Sequence, residues 1–430
     1  MKFQSPTGMH DVSGKDIMYF QKIEKVCKDV ADFYGFRKIE TPILEETKLF
    51  EKGTGSSTDI VQKEMFSLRT KGGDYLTLRP EGTPGIIRSY IQNGMQSLPK
   101  PVKFWHFGPF FRYEKPQADR FRQFNQFGFE SIGISKPVID VQIIQIFFNI
   151  LKELGFKDLI IEINTIGCLE CRPEYRRKLI KYLKSNQSNL CPDCRRRLKE
   201  NPLRILDCKD ERCQEVIKSA PQMIEYLCKD CHSHFKNVLE LLEELELPYE
   251  LNPYLVRGLD YYTQTVFEIF SNVLQKYKDD PDQEERKIAL AGGGRYDGLV
   301  KLLGGKDTPA CGGAAGVERI ARLMKVMGKK IVTKKQPQVF LAQVGELSKR
   351  KALKIFEDLR KNNIRVAEAF YKDSLVEQLK IADKLEIKFV LILGQKESID
   401  NEIIIREMKT GKQKIIPFKK IIKQVKKIIK

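Results

Sequence analysis

The sequence predicts an α+β protein of more than one domain, and three observations carry that reading. The N-terminal half mixes an amphipathic helix with short alternating runs that read as strands. From Gln338 onward strands and helices alternate regularly, which is the pattern of a separate α/β domain. Finally, 430 residues at 41% hydrophobic content can bury two or three cores.

Taken in order, Phe20, Ile23, Cys27, Val30 and Tyr34 recur at three- and four-residue steps and predict a helix of about five turns that stops at Gly35. FRKIETPIL then reads as a strand, KGTGSSTDI as a Gly/Ser/Thr loop, and MFSLRT and YLTLRPEGT as alternating strands. The charged stretch MGKKIVTKKQP, ending at Pro337, marks a domain boundary. Beyond it come strand QVFLAQV, helix LSKRKALKIFEDLRKNN, strand IRVAEAF, helix SLVEQLKIADKL, strand FVLILG, two further strands and a basic helix. A parallel or mixed sheet follows from that alternation. There is no internal repeat and no low-complexity tract.

Charge is uneven. The chain carries Lys+Arg 76 against Asp+Glu 57, net +19, and residues 331–430 hold 24 basic and 12 acidic side chains, so +12 lies there. The last twenty residues contain eight Lys and no acid. Such a tail suits a polyanionic partner. It equally suits a solvated amphipathic helix, with Ile421, Ile422, Val425, Ile428 and Ile429 as its apolar stripe. No run approaches the roughly 18 apolar residues of a membrane span, and MKFQSPTGMHDVSGKD lacks a secretory apolar region, so a cytosolic protein is expected. Eight of the ten Cys lie between Cys168 and Cys231, in the pairs Cys168/Cys171, Cys191/Cys194 and Cys228/Cys231 with Cys208 and Cys213 slightly wider, and CHSH adds His232 and His234. In a reducing compartment this spacing fits structural zinc better than disulfides; reduced, buried thiols are the other reading.

The stretch from Phe110 to Glu130, FFRYEKPQADRFRQFNQFGFE, concentrates Phe, Arg and acids. Read as strand, KPQAD turn, strand, it places Phe110, Arg112 and Glu114 on one face, and Arg122, Phe124, Gln126, Gly128 and Glu130 together on the return. A face of guanidinium, carboxylate, amide and aromatic groups suits a phosphorylated aromatic ligand: Arg forks phosphate oxygens and Phe offers a stacking plane. An exposed hairpin with ordinary cross-strand ion pairs is the plainer reading.

GPFFRYEKPQADRFRQFNQFGFE resembles motif 2 of the class II aminoacyl-tRNA synthetases, specifically of the histidyl-tRNA synthetase family. GMHDV, TLRPEGT, LVRGLDYYTQTVFE and AGGGRYDGLV agree in order and content, and GGAAGVERIARL resembles motif 3. The resemblance implies a class II catalytic domain built on an antiparallel sheet flanked by helices (residues 1–166 and 236–328), with a helical Cys-rich insertion (167–235). A linker (329–337) and a C-terminal α/β anticodon-binding domain (338–430) complete the expected order. It also implies ATP-dependent attachment of L-histidine to tRNA(His) through a histidyl-adenylate. ATP and Mg²⁺ would be needed, and a homodimer would form through the helix from Asp16 to Tyr34.

Residue by residue, the resemblance makes Arg112 the motif 2 arginine on the α-phosphate, Glu114 the reader of the adenine amino group, Phe124 its stacking platform and Arg120 a contact to the outer phosphates. Arg319 corresponds to the motif 3 arginine, and Arg257 to the family's extra arginine where carboxylate and α-phosphate meet. Glu81 and Thr83, with Gln126, correspond to groups on the substrate ammonium. Glu130 and Tyr262 correspond to the pair on the imidazole, with Tyr261 beside them and Tyr296 closing the site. Lys115 and Ala118-Asp119 depart from the family's usual loop tip, which leaves recognition of the tRNA end open, and no base is assigned for the transfer step. His10 and His106 are expected to be structural. A second function class is a histidine-binding regulatory paralogue of a histidine-biosynthetic complex; such paralogues lose the C-terminal domain and the ATP arginines, both present here.

Overall fold

The computed structural model describes residues 3–115, 120–271, 288–329 and 337–429. Most of the KPQAD turn and most of the expected linker lie outside the described residues. The chain divides into two compact units, Met1–Ile331 and Val332–Lys430.

Helix α1 (Gly14–Tyr34) buries Phe20, Ile23, Val26, Cys27, Val30 and Ala31 along one stripe. It ends where Gly35 turns left-handed at φ 74, with Phe36 N–H closing onto Ala31 O at 2.8 Å. Strands β1 (Arg37–Lys38), β2 (Leu44–Glu46), β3 (Phe66–Arg69) and β4 (Tyr75–Leu78) follow, then helix α2 (Thr83–Gln92). The expected KGTGSSTDI loop is instead coiled into π-helical turns at Glu51–Gly55 and Ile60–Glu64. Thr58 explains this: its hydroxyl donates to Gly55 O (2.8 Å) and accepts from Val61 N–H (3.3 Å), so side-chain bonds substitute for a regular ladder.

The main sheet is completed by β5 (Val102–Phe111), β6 (Gln123–Ile132), β7 (Leu159–Thr165), β8 (Tyr249–Leu251), β9 (Thr263–Ser271), β10 (Ile288–Arg295) and β11 (Ala310–Gly316). Its order is β1-β5-β6-β11-β10-β9-β7-β8, antiparallel throughout the middle and parallel only at the two edge pairs. The antiparallel-sheet expectation therefore holds. Between β6 and β7 runs helix α3 (Pro137–Glu153). Period-two alternation then sorts the faces: Phe127, Phe129 and Phe267 join the core around Phe147 of α3, while Glu130 and Glu268 take the alternate positions and point to the opposite face. The two motif 2 strands are shorter than expected, ending at Phe111 and resuming at Gln123, so Arg112, Glu114 and Arg122 flank the ladder rather than sit in it.

Between β7 and β8 lie helices α4 (Arg172–Ser185), α5 (Pro192–Glu200), α6 (Glu211–Ile217) and α7 (Lys229–Glu244); the expected end of the insertion at 235 falls within α7, whose Phe235, Val238 and Leu242 pack in the main core. The insertion's small core of Leu179, Leu183, Leu198, Ile205 and Met223 runs continuously into Tyr261 and Tyr262. After β11, helix α8 (Val317–Val326) returns to the main core through Val317, Ile320, Leu323 and Met324.

The second unit runs β12 (Val339–Gln343), α9 (Glu346–Lys361), β13 (Val366–Glu368), α10 (Leu375–Lys384), β14 (Phe389–Leu393), α11 (Gln395–Asp400), β15 (Glu402–Glu407), β16 (Gln413–Pro417) and α12 (Ile421–Ile428). Only α11 goes beyond the expected order. The mixed sheet, β13-β12-β14-β15-β16, is parallel across its first three strands. On α12, Ile421 and Val425 are buried in this unit's core while Lys423, Lys426 and Lys427 are exposed. The stripe is thus structural, and the lysines form a cationic outer face.

Candidate active site

The face of the main sheet opposite the α3 layer has a floor of bare backbone. A Cβ on Gly312 of β11 would lie 1.7 Å from Glu130 Oε2, and one on Gly292 of β10 would lie 2.5 Å from Arg257 Nη1. Only glycine lets both side chains lie flat on the strands. On this same face His106 is buried against Gly82 and Gly128, and burial holds its ring neutral, at about 3. The exposed His10 packs on Phe121 with ring centroids 4.4 Å apart.

Two carboxylates end up inside this face, each held by two hydroxyls. Thr83 at the start of α2 donates to Glu130 Oε1 (2.6 Å), and the Tyr296 hydroxyl donates to Glu130 Oε2. Thr54 donates to Glu81 Oε1 (2.5 Å) and Tyr261 to Glu81 Oε2 (2.7 Å). Glu130 is 1% exposed, and burial pushes its carboxyl up to about 8 against the opposing pull of Thr83 and Tyr296. Burial also raises Glu81, against its two hydroxyl partners and the nearby Arg112. The rings of Tyr261, Tyr262 and Tyr296 pack mutually, with centroids 4.7, 5.6 and 6.4 Å apart, and wall the space between the carboxylates.

The arginines border this network. Arg257 pairs with Glu268 of β9, and its guanidinium lies 6.0 Å from the Tyr262 ring centroid. Arg112 donates Nε to Pro80 O (3.0 Å), lies over Phe124 at 5.5 Å and stands 3.9 Å from Glu114. Arg120, more exposed, reaches Glu114 at 3.6 Å. Arg319, in the first turn of α8, donates to Ala289 O (2.6 Å) on β10, the strand whose Gly292 lies under Arg257. Gln126 sits on β6 between Gly108 and Gly316, on the Glu130 face. Arg112 and Arg257 thus stand beside a buried network of hydroxyls and carboxyls, and Arg319 reaches the same sheet at β10. That arrangement can hold an anion beside a small polar group and exclude water from both.

Several contributors were not singled out from the sequence. Thr54 sits in what reads as a plain loop, and Glu268 is one acid in VFEIF with no local cue beyond its alternate position on a strand. The Arg of GGGRYDG, Arg295, is wholly buried: it pairs with Asp140 of α3, which Thr265 (2.9 Å) and His234 (2.5 Å) also approach. His234 therefore serves this buried pair and is not grouped with the cysteines. The eight thiols fall into two groups, Cys168, Cys171, Cys228, Cys231 and Cys191, Cys194, Cys208, Cys213, each able to hold a metal ion.

Residues 8–320 match the family described as Histidyl-tRNA synthetase, and residues 338–428 match the Anticodon binding domain. The chain is 42% identical to a histidine–tRNA ligase of Acetivibrio thermocellus over 426 residues, 99% of this chain and 100% of the relative. It is equally 42% identical to one from Dehalococcoides mccartyi over 427 residues, with the same coverage. The crystal structure of apo histidyl-tRNA synthetase from S. aureus superposes with a TM-score of 0.80 at 32% identity, covering 99% of this chain and 100% of that one.

Proposed function

Because the chain belongs to the histidyl-tRNA synthetase family, we propose that it activates L-histidine with Mg²⁺-ATP and passes the histidyl group to tRNA(His). In the first step the histidine carboxylate attacks the α-phosphorus and pyrophosphate leaves. Negative charge accumulates on the α-phosphate oxygens, where Arg112, Arg257 and Arg319 would stabilise it without reorganising at that moment. Glu114, Phe124 and Arg120 would seat the adenine and outer phosphates; Glu81, Thr83 and Gln126 would take the ammonium.

The observation that carries this reading is the buried Glu130. Its carboxyl, fixed by Thr83 and Tyr296 on a glycine floor, is uncomfortable when ionised without a cationic or N–H partner. A histidine imidazole, with Tyr262 and Tyr261 lining its path, provides that partner, and side chains lacking an N–H leave the carboxyl unmatched. Discrimination by an unpaired buried polar group reaches factors of about ten thousand.

The regulatory-paralogue reading is disfavoured by full-length identity to relatives named as ligases and by the matched anticodon-binding domain. The same proposal places a homodimer in the cytosol, assembled through α1, whose Phe33 is 85% exposed, and includes structural zinc in the insertion. Among the described residues no helix is long and apolar enough to cross a membrane. The test is histidine-dependent exchange of labelled pyrophosphate into ATP. A folded protein that binds histidine yet exchanges nothing would overturn the ligase reading.

A further inference from the structure

We propose that the insertion holds two separate zinc–tetrathiolate sites, nested one within the other, each bracing a different wall of the amino-acid pocket. The outer site is Cys168, Cys171, Cys228 and Cys231; the inner is Cys191, Cys194, Cys208 and Cys213. Within each, all four Sγ atoms lie within 4.8 Å of one another. The closest separations are 3.7 Å (Cys168–Cys171), 3.8 Å (Cys168–Cys228 and Cys171–Cys231) and 3.8 Å (Cys191–Cys208). Four thiolates about 2.3 Å from one tetrahedral zinc are separated by about 3.8 Å, so the sulfurs already stand at the corners a single ion requires. Disulfide sulfurs would be about 2.05 Å apart. A cubane iron–sulfur cluster binds each thiolate to a different iron and would spread them further.

Backbone N–H groups aim at these sulfurs as at charged thiolates: Cys168 N–H to Cys171 Sγ (3.3 Å), Glu170 N–H to Cys168 Sγ (3.4 Å) and Cys191 N–H to Cys213 Sγ (3.2 Å). The four pairs nest along the chain: the first and last combine, enclosing the middle two, which form the inner site. The outer ion would therefore close the neck of the insertion, and the inner ion its distal lobe.

Each site connects to the pocket through one arginine-led contact set. Arg172, next to Cys171, donates to Ile166 O (3.0 Å), Gly167 O (3.0 Å) and Tyr262 O (2.7 Å), fixing the strand entry that carries Tyr262. Arg197 and Arg204, flanking the inner site, bind Asp59 at 2.7 and 3.3 Å, and Asn201 donates to Asp260 (2.7 Å). Asp59 belongs to the coiled 51–64 segment that supplies Thr54 to Glu81, and Asp260 precedes Tyr261.

The bracing role rests on the histidine-activation reading; the metal content does not. Metal analysis of the full chain purified without chelator should give two zinc and no iron per chain. Cobalt exchange should give thiolate-to-metal and d–d bands of twice the intensity seen in Cys191→Ser/Cys208→Ser, which should retain one zinc. Arg197→Ala keeps all eight thiols and should keep both zinc ions while raising the histidine KM of pyrophosphate exchange at least fivefold with kcat nearly unchanged. Fewer than one and a half zinc per native chain, or iron instead, would overturn the two-site proposal whether or not the double variant folds. An unchanged histidine KM in Arg197→Ala would overturn the bracing role, and absence of exchange in the native chain would fault the ligase reading alone.

Discussion

Replacing Glu130 with Gln should make the ligand-free protein more stable near neutral pH while abolishing histidine activation. The carboxyl sits at about 8 in the folded protein because burial opposes its ionisation, against 4.5 when solvated. The sign follows from that elevation: below about pH 4.5 both folded and unfolded chains hold the proton and nothing is lost. Between 4.5 and 8 the unfolded chain releases it and the folded chain does not, so native stability falls as pH rises. At pH 7.5 the accumulated penalty is about 4 kcal/mol, and at pH 5 about 1 kcal/mol, taking 1.36 kcal/mol per pH unit. Gln removes the penalty but holds Thr83 and Tyr296 less well, a loss of about 1 kcal/mol. The variant should therefore match the native protein near pH 5 and exceed it by about 3 kcal/mol at pH 7.5. Thermal unfolding of both proteins without ligand, at pH 5 and 7.5, reads this directly as a Tm difference that opens with pH. A variant that melts below the native protein by the same margin at both pH values would refute the buried-carboxyl reasoning.

Other expectations are equally specific. Arg257→Ala should lower the adenylation rate by roughly 10²–10³ while changing histidine affinity less than tenfold, because its charge matters most as the phosphate becomes more anionic; an effect confined to KM in single-turnover kinetics would contradict this. Gly312→Ala sets a methyl 1.7 Å from Glu130 Oε2 and 2.6 Å from Phe129 O, so histidine binding measured by calorimetry should vanish while circular dichroism stays native. Asp140→Asn leaves the buried Arg295 with Asp297 (3.0 Å) as its one remaining carboxylate among the described residues and should destabilise the protein by about 1.5–3 kcal/mol in thermal unfolding; a loss under 1 kcal/mol would mean the Asp140 charge is dispensable.

What local pattern can encode, the sequence revealed. The α1 stripe, its stop at Gly35 and the β/α alternation after Gln338 depend on neighbours within a few positions, so periodicity alone places them. The motif 2 resemblance likewise points to Glu130 and Arg112. What escaped it depends on distant partners. Thr54 matters only because Glu81 comes to it from 27 positions away, and Arg295 is ordinary until Asp140, 155 positions distant, is buried against it. Cysteine spacing revealed metal-like pairs but not which pairs combine, since that pairing is set by how α4 and α7 return to the same neck. Strand length was overestimated around Arg112 because alternation persists in sequence after the ladder has ended.

The insertion departs from β7 and comes back through α7 to β8, and these two strands are direct parallel partners, Ile161 opposite Tyr249 and Ile163 opposite Leu251. Topologically the whole excursion is one oversized crossover between adjacent rungs. Doubling the length of such a closed loop adds only about 0.6 kcal/mol of entropy cost. Chain entropy therefore sets little limit on how much chain this junction can carry; what constrains the excursion is its moorings, since Arg172, Arg197 and Asn201 tie it back to Tyr262, Asp59 and Asp260.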